Sequence, residues 1–257
     1  SFQSGDYKSL PMPSLGSEFE IYARNAVEIT KNDWDSIEIS FDFKTNSLMS
    51  FGSSLAESYL EHSNASKKNT STLFQIEESL NKKLADKYTT KNDVRTEAFE
   101  EQVTLFSNPK YRYGTNASDE ELNNRFRSDT DCELISYAIG CILGRYSLDR
   151  EGLVYAHAGN QGFAELAAEG AYKSFPADDD GILPLTDQEW FSDDATNRFR
   201  EFVRTVWAGP EGATEQEQSQ RLQENLNFVA ASLCLQAIKP KRGESALETI
   251  SRYISNQ

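Results

Sequence analysis

Ser118 and Glu121 open the stretch that most limits what this chain can fold into. A Ser followed three positions later by Glu is a capping box, in which each side chain satisfies a backbone N–H at a helix start. Behind it Leu122, Phe126, Leu134, Ile135, Ala138, Ile139, Ile142 and Leu143 recur in helical register. The pattern predicts a buried helix running to about Gly144, and a helix with such a stripe must pack against other elements. Gly140 and Gly144 stand four apart inside it. Each costs about 1 kcal/mol in helix propensity, so a packing or functional demand must offset them. The spacing predicts a second helix approaching closely there, where no Cβ intervenes. Arg145 and Asp149, four apart, are expected to pair across the following turn.

The rest of the chain reads mainly as helices. Phe19, Ile21, Tyr22, Ala26 and Val27 recur at helical spacing up to Thr30, after which Asp33 is placed to cap a short turn containing Trp34. "IEISFDF", residues 37–43, alternates apolar and polar positions and predicts a strand or extended segment. Leu55 to Tyr88 predicts two helices, or one interrupted near "NASKKNTS". Residues 97–118 read as a loop, "GFAELAAEG" as a short helix and "FPADDDGILPL" as a loop. A helical turn is expected after Thr186, then a helix capped by Ser192 or Asp193 and ending near Gly209. A strong helix from Thr214 is stopped by Pro240, and Ser245 to Tyr253 is amphipathic. The fold class is therefore mainly α, a multi-helix module with a small β or extended segment near the N-terminus. Two parts are expected, residues 1–50 and 51–257.

Composition excludes several function classes. The formal net charge of −15 argues against a general basic surface for nucleic acid. Two small positive islands remain as candidate DNA-backbone contacts: Lys82, Lys83 and Lys87, and Lys239, Lys241 and Arg242. Three cysteines in apolar helical contexts point to free thiols in a reducing, cytoplasmic compartment. With only two histidines, a His-based zinc site or catalytic triad is not expected. No apolar run reaches a membrane span and no signal peptide is apparent.

Several local motifs invite chemistry and do not carry it. "NPKY", residues 108–111, resembles an amino-methyltransferase loop, but Lys110 stands where that loop has a second proline, and a turn started at Asn-Pro is favoured. "GNQG" is unflanked by the strand and helix of a phosphate cradle. "ADDDG" places three carboxylates before Gly181, yet Pro176 occupies a position where a calcium loop needs a ligand. Trp190–Phe191 reads as a packed aromatic pair.

Taken together, several blocks carry a resemblance. "SFQSGDYKSLPMP" looks like the final segment of a specificity domain in large restriction–modification methyltransferases. "DWDSIEISFDF", "VTLFSNPKYRYG", "ELISYAIGCILGRYSLDREGL" and "FPADDDGILPLTDQEWFSDD" resemble further blocks of that family in the same order. The chain resembles the BREX phage-defence adenine-specific DNA methyltransferases of the PglX type. The resemblance implies a parent enzyme that methylates adenine N6 with S-adenosylmethionine. The family's cofactor-binding glycine motif and Asn-Pro-Pro-aromatic loop are not present here, so the chain is expected to be a carboxyl-side fragment that binds no cofactor and carries no catalytic residue or metal. Residues 1–50 would be the end of the specificity-like domain with its connection, and 51–257 a helical spacer. Trp34, Asp42, Phe43, Gly140, Gly144, Arg145, Asp149, Asp180 and Gly181 would be structural positions of the family motifs. Expected partners are DNA through the full-length parent, other BREX components or a phage inhibitor, and no membrane. The charge of −15 motivates a rival reading, an acidic interaction module or DNA-mimic inhibitor unrelated to methylation.

Overall fold

The computed structural model describes residues 14–50, 53–88, 96–155, 161–185, 193–210 and 212–256. Among them are eight α-helices and no strand: α1 (Ser17–Asp35), α2 (Leu55–Lys87), α3 (Pro109–Tyr113), α4 (Asp119–Ile142), α5 (Phe163–Ala168), α6 (Ala195–Val206), α7 (Glu215–Gln236) and α8 (Ala246–Ile254). Short 3₁₀ turns lie at Ser47–Ser50 and Glu100–Gln102. The mainly α class holds.

The expected capping box forms. Ser118 Oγ accepts from the Glu121 N–H at 3.2 Å and the Glu121 carboxylate from the Ser118 N–H at 2.9 Å. Thr214 with Glu217, and Ser245 with Glu248, repeat the arrangement at α7 and α8. Each box satisfies donors that a helix start otherwise leaves unpaired.

Other expectations need correction. Residues 37–43 form successive turns instead of a strand, with Ser40 N–H donating to the Ile37 carbonyl and Phe43 N–H to the Ser40 carbonyl. Alternation alone builds no ladder, because a strand needs a neighbour to take its backbone bonds. α2 is continuous through 64–71, where Ser66 and Thr70 donate to carbonyls four residues back, both at 2.9 Å. These hydroxyls turn inward along the helix and do not compete with it. Asp33 starts no new turn: α1 runs through it, and its carboxylate accepts from the Phe106 and Ser107 N–H groups at 2.5 and 3.0 Å. The cap of α6 is Asp194, bonded to the Thr196 N–H at 2.9 Å, and the helix stops at Val206. The expected loop around Asn108 contains α3, with Asn108 as its cap and Pro109 at the first helical position. Residues 1–13, Thr186, Trp190, Phe191 and Ser192 lie outside the described residues, as does part of "GNQG".

The main core gathers α4, α6, α7, α8 and the start of α2. Tyr137, Phe199, Phe202, Leu233 and Ile250 are fully buried there. Burying such a side chain contributes about 1.5–3 kcal/mol. Phe43 and Leu48 sit in the same core. A second cluster joins Leu73 of α2 to Val103 and Leu105, with Ala26 and Ile29 of α1 against them. A third, around Leu166 and Tyr172, attaches α5 to the segment after α4.

Candidate functional site

The end of α4 is the joint on which the distinctive sequence converges. The Gly144 N–H bonds to the Cys141 carbonyl at 3.1 Å, and the Arg145 N–H to the Gly140 carbonyl at 2.8 Å. These are the two bonds of a Schellman ending, with Gly144 as its left-handed residue at φ +74°. The chain then folds back, and the Tyr146 ring lies on Gly140, where an added Cβ would stand 2.6 Å from Cδ2. At Gly144 the same atom would meet Phe163 at 2.8 Å. Gly140 thus admits the returning Tyr146 ring and not the neighbouring helix that the spacing predicts, whereas Gly144 admits the Phe163 side chain at the start of α5.

Phe43 completes the joint, edge-on to Tyr146 at 5.3 Å and to Tyr137 at 6.0 Å. Arg145 does not pair with Asp149. Its guanidinium reaches Glu38 at 3.7 Å and lies 5.3 Å from the Tyr146 ring centre. Asp149 instead accepts from the Ser174 N–H at 2.8 Å and hydroxyl at 2.6 Å, tying the segment after α4 to the segment after α5. Asp42 pairs with Lys31 at 2.6 Å, and Trp34 is half-exposed. In "ADDDG", the Asp178 carboxylate accepts from the Gly181 N–H at 2.8 Å, the Asp180 carboxylate from the Ile182 N–H at 2.8 Å, and the Asp178 N–H donates to the Ile142 carbonyl at 2.7 Å. That loop is organised by its own carboxylates and anchored to the end of α4. Among the described residues no three His, Cys, Asp or Glu side chains are grouped to hold a metal ion.

The two basic islands lie on separate elements. Lys82 pairs with Glu78 at 3.0 Å and Lys83 with Glu18 of α1 at 2.7 Å; Lys87 closes α2. Lys241 and Arg242 border a groove at the start of α8 shared with Asp194, Glu244 and Glu248, and the Lys239 carbonyl accepts from Arg252 at 3.0 Å. Residue 83 stands roughly 40 Å along α2 from Leu55, the end that bonds to α7.

Sequence reasoning missed two features. A groove of about 1240 Å³ between α1, the turns after it and α2 contains His62 and the fully exposed Phe41. His62 stacks on Phe126 at 5.7 Å, and burial pushes its pKa below the usual value against the opposing field of Asp33. The second is Asp131 on α4, fully buried. Burial raises its pKa to about 7 against the opposing field of the Arg127 guanidinium, and neither carboxyl oxygen has a hydrogen-bond partner, the Ser232 hydroxyl donating to the Arg127 carbonyl at 3.1 Å. Its position was readable: Arg127, Leu134 and Ile135 flank it at helical spacing on the apolar face.

No protein-family model matches the chain. Over all 257 residues it is 51% identical to the adenine-specific methyltransferase BrxX of Escherichia coli O9:H4 (strain HS), covering 20% of that protein. Over 266 residues, 98% of the chain, it is 28% identical to the adenine-specific methyltransferase PglX of Lacticaseibacillus casei (strain Zhang), covering 18% of it. The chain spans about a fifth of the length of these relatives. Both matches bear out the resemblance carried by the ordered sequence blocks. None of the described helices is long and apolar enough to cross a membrane.

Proposed function

We propose that this chain, a segment of the BREX adenine-specific methyltransferase family, is a non-catalytic helical spacer that positions the DNA-recognition parts of its parent and docks partner proteins. One observation carries the reading: several of the positions expected as family motifs are built into joints. Phe43, Gly140 and Gly144 shape the end of α4, Asp149 ties two segments together, and the Asp178–Gly181 turn hangs from α4. Residues committed to such contacts fix the angles between elements and are not free to hold a substrate. The described residues also do not fit S-adenosylmethionine in the manner of a doubly wound fold, since they contain no strand to lead into a glycine turn and helix. In this reading the parent enzyme supplies the cofactor site, the methyl transfer to DNA and the cytoplasmic setting.

DNA contact, where it occurs, falls to Lys239, Lys241 and Arg242 or to Lys82, Lys83 and Lys87, each island acting locally. Isothermal titration of the chain with S-adenosylmethionine tests the non-catalytic part. No heat is expected from the chain and clear heat from the full-length enzyme; micromolar binding to the chain alone overturns the reading. A mobility shift at low salt tests the islands, and no shift at any protein concentration removes them.

A further inference from the structure

Between α2, α3 and α4 lies a cavity of about 310 Å³, at the lower end of the roughly 300–1,000 Å³ of small-molecule sites. Ser66, Lys67 and Thr70 line it from α2, and Leu122 and Phe126 from α4. Ser66 and Thr70 are buried, and their hydroxyls donate to the His62 and Ser66 carbonyls, both at 2.9 Å. A hydroxyl whose proton is committed inward keeps its lone pairs for an incoming donor. The α2 wall is therefore an accepting wall. Leu122 and Phe126, both buried, supply an apolar floor suited to a flat ring.

Two lysines and two carboxylates line the cavity, so its charge sums to zero, but both carboxylates stand at the α3 end. Lys110 is held by Glu100 at 2.7 Å and lies 3.8 Å from Asp119, so the α3 end carries its own counter-charges. Lys67 is exposed on the rim and makes no ion pair among the described residues. A donor-bearing planar ring with an anionic group is the chemistry that satisfies all three features.

We propose that this cavity binds a nucleoside monophosphate unit whose exocyclic amine donates to Ser66 and Thr70, whose base lies over Leu122 and Phe126, and whose phosphate meets Lys67. The same chemistry comes as a free nucleotide or as one residue of a single strand.

Isothermal titration of the chain with AMP, CMP, UMP and inorganic phosphate tests the assignment. AMP and CMP are expected to bind at roughly 0.1–1 mM. UMP, which carries a carbonyl where CMP carries the amine, should bind at least about fivefold more weakly, because an acceptor then faces an acceptor. Lys67→Met, at an exposed position, should leave the melting curve unchanged and weaken AMP about tenfold. Thr70→Val should bring CMP and UMP closer together. Equal affinity for CMP and UMP, undiminished AMP binding in Lys67→Met, or no heat with AMP at about 10 mM each overturns the proposal. Displacement of AMP by a short oligo-dA supports a strand as the source, and failure to displace it supports the free nucleotide.

Discussion

Replacing Asp131 with Asn measures what a buried carboxyl contributes to the pH dependence of this fold. Asp131 is fully buried, and desolvation lifts its pKa from the ordinary 3.8 to about 7. In the unfolded chain the group loses its proton near pH 4, whereas in the fold it keeps it to about pH 7. Between those values the folded state binds one more proton, so stability falls by about 1.4 kcal/mol for each pH unit gained. From pH 5 to 7.5 the loss attributable to Asp131 is about 2.5 kcal/mol. For a chain of this size that corresponds to roughly 5–10 °C in Tm. The amide of Asp131→Asn cannot titrate and has nearly the same shape, while every other group is common to both proteins. Paired scanning calorimetry should therefore find the variant gaining roughly 5–10 °C on the wild type between pH 5 and 7.5. Parallel curves across that range would refute the reasoning, since they would mean that Asp131 is ionised in the fold from the start.

Two further outcomes follow from the same physics. Gly140→Ala gains about 1 kcal/mol of helix propensity but drives a Cβ to 2.6 Å from a Tyr146 ring that is pinned by Phe43 and Tyr137; overpacking of about 1–3 kcal/mol should win and lower the Tm, and an unchanged melt would show that the ring yields. His62→Gln acts on the acid side. Burial lowers the His62 pKa in the fold, so its contribution is present above about pH 6.5 and lost as pH falls through the folded value. Stability of the variant measured by urea denaturation should accordingly fall less than that of the wild type between pH 6.5 and 5.

The parts legible in the sequence are those decided by a few neighbouring residues. Capping boxes at Ser118, Thr214 and Ser245 satisfy backbone donors within one turn, so the helix starts follow from local chemistry. The break expected at 64–71 fails for a related reason: Ser and Thr weaken a helix when they bond elsewhere, and here they bond back into it. The strand expected at 37–43 shows what alternation leaves out. Ile39 and Phe41 are exposed and only Phe43 reaches the core, because no neighbouring strand takes up the backbone. At Gly140 the spacing signalled a close approach, but its partner, Tyr146, arrives through a left-handed turn that periodicity does not describe. The cavity beside Lys67 was beyond reach, since it depends on how α2 meets α4.

The placement of acids bears on the rival reading of an acidic DNA mimic. A mimic needs carboxylates in rows at phosphate-like spacing, with their oxygens turned to solvent and available to a basic partner. Here Glu121, Glu217 and Glu248 reach back to backbone N–H groups at helix starts, and those bonds hold their pKa values below the usual carboxylate range. Glu57 is lowered by the Ser53 hydroxyl and backbone. Asp33 and Asp149 clamp backbone N–H groups across the sequence, and Glu18, Glu38 and Glu244 pair with Lys83, Arg145 and Arg252. Anions at helix N-termini are favoured by the helix dipole as well as by the orphan donors, so a protein made of many capped helices accumulates negative charge for structural reasons. The capping and clamping carboxylates among these are tied to the fold itself, at helix ends and joints. Carboxylates placed in this way are the arrangement that the proposed helical spacer predicts, and side chains committed to backbone N–H groups and cations are not the solvent-facing rows that a mimic uses.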